Sequence, residues 1–339
     1  MSKSPLSSNQ AVFDELLYRI RQVRQAVFAQ ANTALMDLYW WLGKAISQKV
    51  QSEAWGKGVV TDLARYIARE APDIRGFSDK NLWRMKQFYE TYEGDEKVSP
   101  LVRELPWTHN TIIFSRCKSS EERAYYLRTA TAEKWTKREL ERQINTAQFE
   151  RSRLGGAKLS PALRELHPGI ESAFKDSYVL EFLGLPEVHT EGDLRKALLR
   201  HVKTFLLELG KDFLFVGEEY RLQVGARDFR ADLLLYHRGL SALVAVELKT
   251  GPFDPEHLGK LGFYLEALDR DVKKPHENPS IGLLLCRDKD EEVVEYALSR
   301  NLSPALIAEY SLQLPDKKLL QARLHEWLTG PWPAEEESL

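Results

Sequence analysis

The run Ser241–Lys249 constrains the fold more than any other part of this chain. It reads Ser-Ala-Leu-Val-Ala-Val-Glu-Leu-Lys, and an apolar run that is so nearly continuous is typical of a central strand buried on both faces. This run is therefore predicted to be a central strand of a sheet. Glu247 and Lys249 are out of place there, because burying an unpaired charge costs several kcal/mol. Since the two residues are two positions apart, both side chains point to the same face of the sheet.

A matching charge interrupts the preceding strand-like run, Phe229–His237, in which Asp232 stands among apolar residues. A short loop that contains Gly239 joins the two runs, as in a β-hairpin. If the hairpin is centred just after Gly239, the numbers of paired residues sum to 479, and Asp232 lies directly opposite Glu247. Paired residues share a face, with Cβ atoms about 4.5–5.5 Å apart. A slip of one residue would place the two carboxylates on opposite faces.

Two carboxylates at that distance repel each other, and a divalent cation between them is the usual solution. A site built from oxygen ligands favours Mg²⁺ or Mn²⁺ over zinc. Lys249, on the same face, can hold an attacking water and stabilise charge on a phosphate while the metal acidifies that water. The competing interpretation is a structural ion pair between Lys249 and either Asp232 or Glu247. The first interpretation predicts a metal-dependent phosphodiesterase.

The rest of the second half predicts the elements around this hairpin. They are a helix at Glu191–Leu209, a strand at Phe213–Val224, a helix at Pro255–Leu268, a strand at Ser280–Cys286, a helix at Glu291–Ser299, a short strand near Ala305–Tyr310 and a helix at Lys317–Leu328. The resulting order, with an antiparallel meander that leads into a crossover, predicts an α/β domain.

The first half has helical periodicity throughout. The pattern predicts helices at Ala11–Gln30, Thr33–Val50, Gly58–Glu70, Asp79–Tyr92, Ser120–Thr129 and Thr136–Gln148. Ser78 is a good N-cap for the fourth helix. The exposed side of that helix would carry Lys80, Arg84 and Lys86, which resembles the recognition helix of a helix-turn-helix. The alternative is an ordinary amphipathic helix with a solvated basic face.

Charge and composition indicate how the chain is divided into domains. Residues 1–155 carry 25 Lys and Arg against 19 Asp and Glu, a net charge of +6, whereas the remainder carries −8, which suits a basic binding domain joined to an acidic one. Residues 151–168 contain glycine and proline without periodicity, so we predict a linker between a helical domain at 11–150 and a second domain at 169–330. Two distant cysteines favour a reducing cytoplasm over a disulfide framework or a zinc site. No apolar stretch is long enough to predict a membrane span.

The catalytic pattern and its frame resemble the PD-(D/E)XK nuclease superfamily. The pattern is Asp232 followed by Glu247-Leu248-Lys249, and the frame has the order helix-strand-strand-strand-helix-strand. Further segments are similar to the YhcG-type nuclease proteins of bacteria. They include Leu206-Leu207-Glu208-Leu209-Gly210, Gly262-Phe263-Tyr264-Leu265, Asn278-Pro279-Ser280-Ile281-Gly282, Leu38-Tyr39-Trp40, Gly76-Phe77-Ser78 and Leu105-Pro106-Trp107-Thr108-His109-Asn110. The resemblance therefore covers nearly the whole chain.

This resemblance implies an α-helical N-terminal domain followed by a restriction-endonuclease-like core of α-β-β-β-α-β order with a mixed sheet. It implies that Asp232 and Glu247 bind metal, with the backbone carbonyl of Leu248 as a third ligand. It also implies that Lys249 is catalytic and that Glu191, on the first core helix, assists. The expected metal is Mg²⁺, with Mn²⁺ as an alternative.

Some residues depart from the family pattern or stay open. Family members often carry a second acid in the Glu-Lys-Ala-Leu stretch of the first core helix, where this chain has Arg195. Glu191 and Asp193 remain candidates for the helix acid. Glu219 either reaches the site or is a solvated strand residue, and Lys260 either contacts the phosphate backbone or is solvated.

The leading hypothesis is a cytoplasmic nuclease that cuts DNA in bacterial restriction, defence or recombination, with the helical domain holding the DNA. A homodimer is consistent with it, because cutting both strands needs two sites, and partner proteins of a restriction or defence system are also considered. The alternative is a non-catalytic nucleic-acid-binding protein, or an interaction subunit of a defence complex, on the same scaffold.

Overall fold

The computed structural model describes residues 5–52, 57–95 and 98–329, and the chain divides into two compact units, Met1–Arg142 and Gln143–Leu339. The first unit is helical. Its helices are α1 (Pro5–Gln51), α2 (Lys57–Glu70), α3 (Asp79–Tyr92), α4 (Trp107–Arg116), α5 (Ser120–Glu133) and α6 (Lys137–Asn145), the last of which crosses the boundary into the second unit. Ser78 caps α3 through its hydroxyl, as predicted.

The two helices that we predicted at Ala11–Gln30 and Thr33–Val50 form one continuous helix, α1. Asn32, a residue that favours helix ends, does not end the helix because its side-chain amide donates to the carbonyls of Arg103 and Leu105 instead. The second half of α1 packs against α3. Gly43 permits this approach, since a Cβ there would lie 2.1 Å from the Met85 carbonyl oxygen.

The second unit alternates helices and strands. Its strands are β1 (Lys158–Leu159), β2 (Ser177–Val179), β3 (Phe213–Val224), β4 (Arg227–His237), β5 (Ala242–Leu248), β6 (Asn278–Cys286) and β7 (Ala305–Ser311). Its remaining helices are α7 (Gln148–Leu154), α8 (Pro161–Leu166), α9 (Glu191–Arg200), α10 (Val202–Leu209), α11 (Glu256–Asp271), α12 (Glu291–Ser299) and α13 (Lys317–Thr329).

The strands form a seven-stranded mixed sheet within the described residues, in the order β1-β7-β6-β5-β4-β3, with β2 also paired to β7. The meander β3-β4-β5 is antiparallel, and β5, β6 and β7 are mutually parallel. Strand β5 is therefore central, and all seven of its residues are buried. The predicted fold class, a helical first half followed by an α/β half with a mixed sheet, is confirmed.

Each face of the sheet is covered by helices. One face packs against α9 and α10 through Leu194, Leu198 and Phe205, and receives Val244, Val246 and Leu248 from β5. The other face packs against α11 and α12 and receives Leu243 and Ala245. Because side chains alternate along a strand, Glu247 and Lys249 belong to the α11 face.

Residues 151–168, which we predicted as a linker, instead belong to the second unit. Strand β1 pairs with β7 in the sheet, and the hydroxyl of Ser160 accepts a hydrogen bond from the Ala305 amide. The predicted helix Glu191–Leu209 is also divided, because His201 leaves the helical conformation between α9 and α10. No helix among the described residues is both long and apolar enough to cross a membrane.

Candidate active site

The strand register brings three carboxylates, those of Glu219, Asp232 and Glu247, into one row across the sheet. Every observed β4–β5 pair has residue numbers that sum to 479, from His237 with Ala242 to Leu233 with Val246, so the predicted register is confirmed. One step further, it places Asp232 opposite Glu247. The β3–β4 pairs Glu218 with Leu233 and Tyr220 with Ala231 place Glu219 opposite Asp232 in the same way.

Glu247 is the most buried carboxylate of this row, with its side chain only 1% exposed. Its Oε1 atom is contacted by two ammonium groups, that of Lys249 at 3.1 Å and that of Lys260 at 2.5 Å. Its Oε2 atom is buried and has no hydrogen-bond partner among the described residues. A buried carboxylate oxygen without a partner is costly, and this one lies beside two ammonium groups, so a cation bound to it would remove that cost.

Lys249 links the central strand to the first core helix. Its ammonium lies 3.1 Å from Glu247 and 3.1 Å from Oε1 of Glu191, the first residue of α9. Burial by itself would lower the pKa of Lys249, but the hydrogen bond that its ammonium donates to Glu191 and the charge of Glu247 outweigh burial and raise it. The lysine is therefore held as a cation between two carboxylates.

Lys260 reaches the same carboxylate from α11. Its side chain is half exposed, and its ammonium lies 5.5 Å from the centre of the Tyr264 ring. Burial tends to lower the pKa of Lys260, yet the hydrogen bond to Glu247 raises it. Lys260 is thus paired with Glu247 inside the site. From the sequence we had considered only a contact with the phosphate backbone or a solvated lysine.

Asp232 is held from two directions. Its Oδ2 atom accepts a 2.9 Å hydrogen bond from the backbone amide of Leu248, and its Oδ1 atom lies 3.3 Å from the guanidinium of Arg195. The same guanidinium lies 3.2 Å from Glu219. Arg195 therefore bridges two acids of the row from α9.

Glu219 has an unusual backbone. Its φ of +40° is in the left-handed region, which a residue with a Cβ rarely adopts, and it follows a bulge at Phe215–Gly217. Strain of this kind persists where the surroundings over-determine it, often at functional sites. Asp193, the other helix acid that we considered, is occupied in a capping box with Thr190 at the start of α9.

The donor set fits a hard divalent cation. In the part of the chain that the structure describes, no three His, Cys, Asp or Glu side chains form a metal-holding group. The hairpin register extends to place the carboxylates of Asp232 and Glu247 opposite each other, and these two side chains, with the Leu248 carbonyl as a third oxygen, would be the donors. The unpartnered Oε2 of Glu247 is free to bind a cation, and a carboxylate oxygen such as those of Asp232 can accept more than one contact.

The predicted nucleic-acid contacts of the first unit lie on α3. Lys80 and Arg84 are exposed, as the helical pattern predicted. Lys86, which we predicted on the same exposed side, is instead mostly buried, with its side chain 17% exposed, because its ammonium pairs with Glu90 at 2.7 Å. The connection between α2 and α3 spans eight residues, longer than the three or four of a typical helix-turn-helix.

Sequence reasoning missed Arg195 as a site residue and missed the pairing of Lys260 with Glu247. A signal for Arg195 was present, because Glu191 and Arg195 are four residues apart and so share one face of α9. No comparable signal existed for Lys260, because its partner lies on a strand whose distance from α11 depends on the tertiary fold.

Comparison with known proteins shows which family the chain resembles. Two family descriptions match the chain, "DUF1016 N-terminal domain" over residues 15–151 and "YhcG PDDEXK nuclease domain" over residues 171–325. A protein of Escherichia coli (strain K12) that carries the name "Putative nuclease YhcG" is 31% identical over 361 residues, covering 96% of each chain. The crystal structure of a repair endonuclease from Pyrococcus abyssi is similar over 38% of this chain and 50% of its own, with 14% identity and a TM-score of 0.25, a likeness from which we infer nothing.

Both family matches and the near full-length relative point to the same group, and the resemblance inferred from the sequence is confirmed. The chain therefore belongs to the YhcG family, in which a DUF1016 N-terminal domain precedes a PDDEXK nuclease domain.

Proposed function

We propose that this protein hydrolyses DNA phosphodiester bonds with the help of Mg²⁺ or Mn²⁺ in the second unit. The observation that carries the proposal is the buried Glu247 carboxylate, with one oxygen contacted by two lysines and the other without a partner. Asp232, Glu247 and the carbonyl of Leu248 would hold the cation, which would acidify the attacking water and polarise the phosphate.

The proposed chemical role of Lys249 follows from its position. It lies at the end of the central strand, beside Glu247, and its raised pKa keeps it protonated at neutral pH. A fixed ammonium there can orient the attacking water and stabilise the negative charge that develops on the phosphate oxygens. Glu191 holds that ammonium in place through the 3.1 Å contact from α9.

Arg195 and Lys260 supply the remaining positive charge of the site. Arg195 orients Asp232 and offsets its repulsion with Glu219, because its guanidinium contacts both carboxylates. Lys260 is half exposed and can turn from Glu247 toward a phosphate of the substrate. Both residues would therefore position groups for the reaction, and Lys260 would also contribute to DNA binding.

The first unit would hold the DNA backbone through the exposed face of α3. Lys80 and Arg84 are available for phosphate contacts, and Lys86 would join them if it left Glu90. The proposed setting is bacterial DNA restriction, defence or recombination in the cytoplasm. There the protein would act with partner proteins of a restriction or defence system. The two cysteines are buried and form no disulfide, which is compatible with a reducing compartment.

The test is a cleavage assay with linear, supercoiled and branched DNA, and with RNA of the same sequence. Each substrate is incubated with the wild type, Glu247→Ala and Lys249→Ala, in Mg²⁺, in Mn²⁺ and in EDTA. We expect metal-dependent cleavage of DNA by the wild type alone. Equal cleavage by all three proteins would refute the site, and DNA binding without cleavage would favour the non-catalytic alternative.

A further inference from the structure

The first half of α1 is not covered by any of the described residues of its own unit. All residues from 12 to 31 are exposed, a length of about 30 Å at 1.5 Å per residue. This segment nevertheless carries many large apolar side chains, namely Val12, Phe13, Leu16, Leu17, Tyr18, Ile20, Val23, Val27 and Phe28. In proteins most of a helix's stability comes from packing of its apolar face, and contiguous exposed apolar surface of this kind marks an interaction site.

Five of these residues, together with four residues further along the helix, follow the spacing of a coiled-coil seam. Starting at Phe13, the seam positions are three, four, three, four, four, three, four and three residues apart, at Phe13, Leu16, Ile20, Val23, Val27, Ala31, Ala34, Leu38 and Trp41. This is a heptad pattern with one inserted four-residue step. The large side chains among them are between 41 and 63% exposed. We call these nine residues the α1 seam.

The α1 seam is not an extension of the helical core. Met36 and Tyr39 are the residues of this stretch that turn into the core of the first unit. Leu38 and Trp41, which neighbour them in sequence, point to another side of the helix and stay exposed. The helix thus has two apolar faces, and only one of them is covered within its own unit.

The spacing of the α1 seam reads the same in both directions. We propose that the seam pairs in antiparallel orientation with the same seam of a second copy of this chain. Centred on Val27, the paired numbers sum to 54, so that Phe13 faces Trp41, Leu16 faces Leu38, Ile20 faces Ala34 and Val23 faces Ala31. Bulky residues meet small ones in the middle, and the contact has the two-fold symmetry of an isologous dimer.

Charge favours this orientation over a parallel one. With Phe13 at position a, Arg19 and Arg24 take positions g and e, which face each other across a parallel pair and would repel. In the antiparallel pair, Arg19 lies opposite Leu35 and Arg24 opposite Gln30, neither of which is charged. The arrangement therefore avoids a like-charge contact on both sides of the seam.

A second copy of the chain is also the partner that is always available to cover the α1 seam. The exposed segment requires cover whenever the chain is folded, and only the chain itself is present in fixed proportion to that need. The inference does not depend on the proposed nuclease activity, because it concerns a helix of the other unit and is measured as mass and cross-linking.

The first test measures the oligomeric state of the full chain by light scattering after size exclusion. We expect a dimer for the wild type and a monomer for Ile20→Glu/Val23→Glu, with a dimer dissociation constant raised at least about 100-fold, because unpaired charges would be buried in the seam. The matched control, Gln22→Glu/Gln25→Glu, adds the same charge on the opposite face of the same segment and should stay dimeric. A monomeric wild type, or a seam variant as dimeric as the control, overturns the proposal.

The second test measures orientation and does not depend on a destabilised variant. Leu16→Cys and Leu38→Cys proteins are prepared separately, mixed and oxidised. In the antiparallel pair, Leu16 of one copy faces Leu38 of the other, while the two Leu16 positions are about 33 Å apart. We expect disulfide-linked dimers in the mixture and none with Leu16→Cys alone. Cross-linking of Leu16→Cys to itself, or no cross-linking in the mixture, overturns the proposed pairing.

Discussion

Lys260 and a metal ion compete for the same carboxylate, and this competition gives a measurable prediction. The Lys260 ammonium lies 2.5 Å from Oε1 of Glu247, and Glu247 is the most buried carboxylate of the site. A divalent cation bound to Glu247 would either displace this ammonium or lie close to its charge. Removing the ammonium by Lys260→Met should therefore strengthen metal binding.

The size of the effect follows from the contact that is lost. A hydrogen bond between charged groups contributes about 1.5–3 kcal/mol. The Lys260 side chain is 50% exposed, so solvent screening favours a value near the lower limit. About 1.4 kcal/mol corresponds to a tenfold change, so the dissociation constant for Mn²⁺ should fall about tenfold in Lys260→Met.

The assay is calorimetric titration of Mn²⁺ into the full chain without DNA. Lys274→Met serves as the matched control, since it removes an exposed lysine from the loop after α11 and should leave the affinity unchanged. Glu247→Gln should abolish the binding. If Lys260→Met binds Mn²⁺ as the wild type does, or more weakly, Lys260 does not compete with the metal and the reasoning is wrong.

Three further predictions concern the second unit. Burial lowers the pKa of His167 and of His237 below the ordinary value of 6.5, so the unfolded chain binds more protons than the folded chain. The free energy of unfolding should therefore be highest above pH 6.5 and fall as the pH falls through the lowered pKa values. Melting curves at pH 7.5 and 5.5 should show that the melting temperature drops less in His237→Gln than in the wild type. Burial raises the pKa of Cys286 to about 12, so a thiol reagent at pH 8 should modify it only after denaturation. Glu208 is fully buried and contacted by two cations. Replacing it with alanine should lower the free energy of unfolding, measured by chemical denaturation, by about 3–5 kcal/mol. A decrease under about 1 kcal/mol would contradict a stabilising role for these ion pairs.

Much of the candidate site could be predicted from the sequence, because it rests on local rules. Alternation along a strand placed Glu247 and Lys249 on one face, and the short hairpin loop fixed the register that the structure confirms between β4 and β5. The position of Asp232 followed from that register. Glu191 was found through the family resemblance, and the structure places it in contact with Lys249.

The parts that could not be predicted depend on contacts between distant residues. Strand β1 has two residues and pairs with Ile307 and Leu306, about 150 positions away, so no local pattern distinguished it from a linker. The continuity of α1 depends on the contacts that Asn32 makes with Arg103 and Leu105. The pairing of Lys260 with Glu247 likewise exists only once α11 has packed on the sheet.

Single-turnover cleavage of duplex DNA shows whether Glu247 and Lys249 have the catalytic roles that we propose for them. Glu247→Gln and Lys249→Met each preserve side-chain size and remove one charge. In Mg²⁺ we expect each to cut about 10²–10³-fold more slowly than the wild type and Lys274→Met, with DNA affinity unchanged. Cleavage by Glu247→Gln at the wild-type rate, or wild-type cleavage that persists in EDTA, would contradict the account.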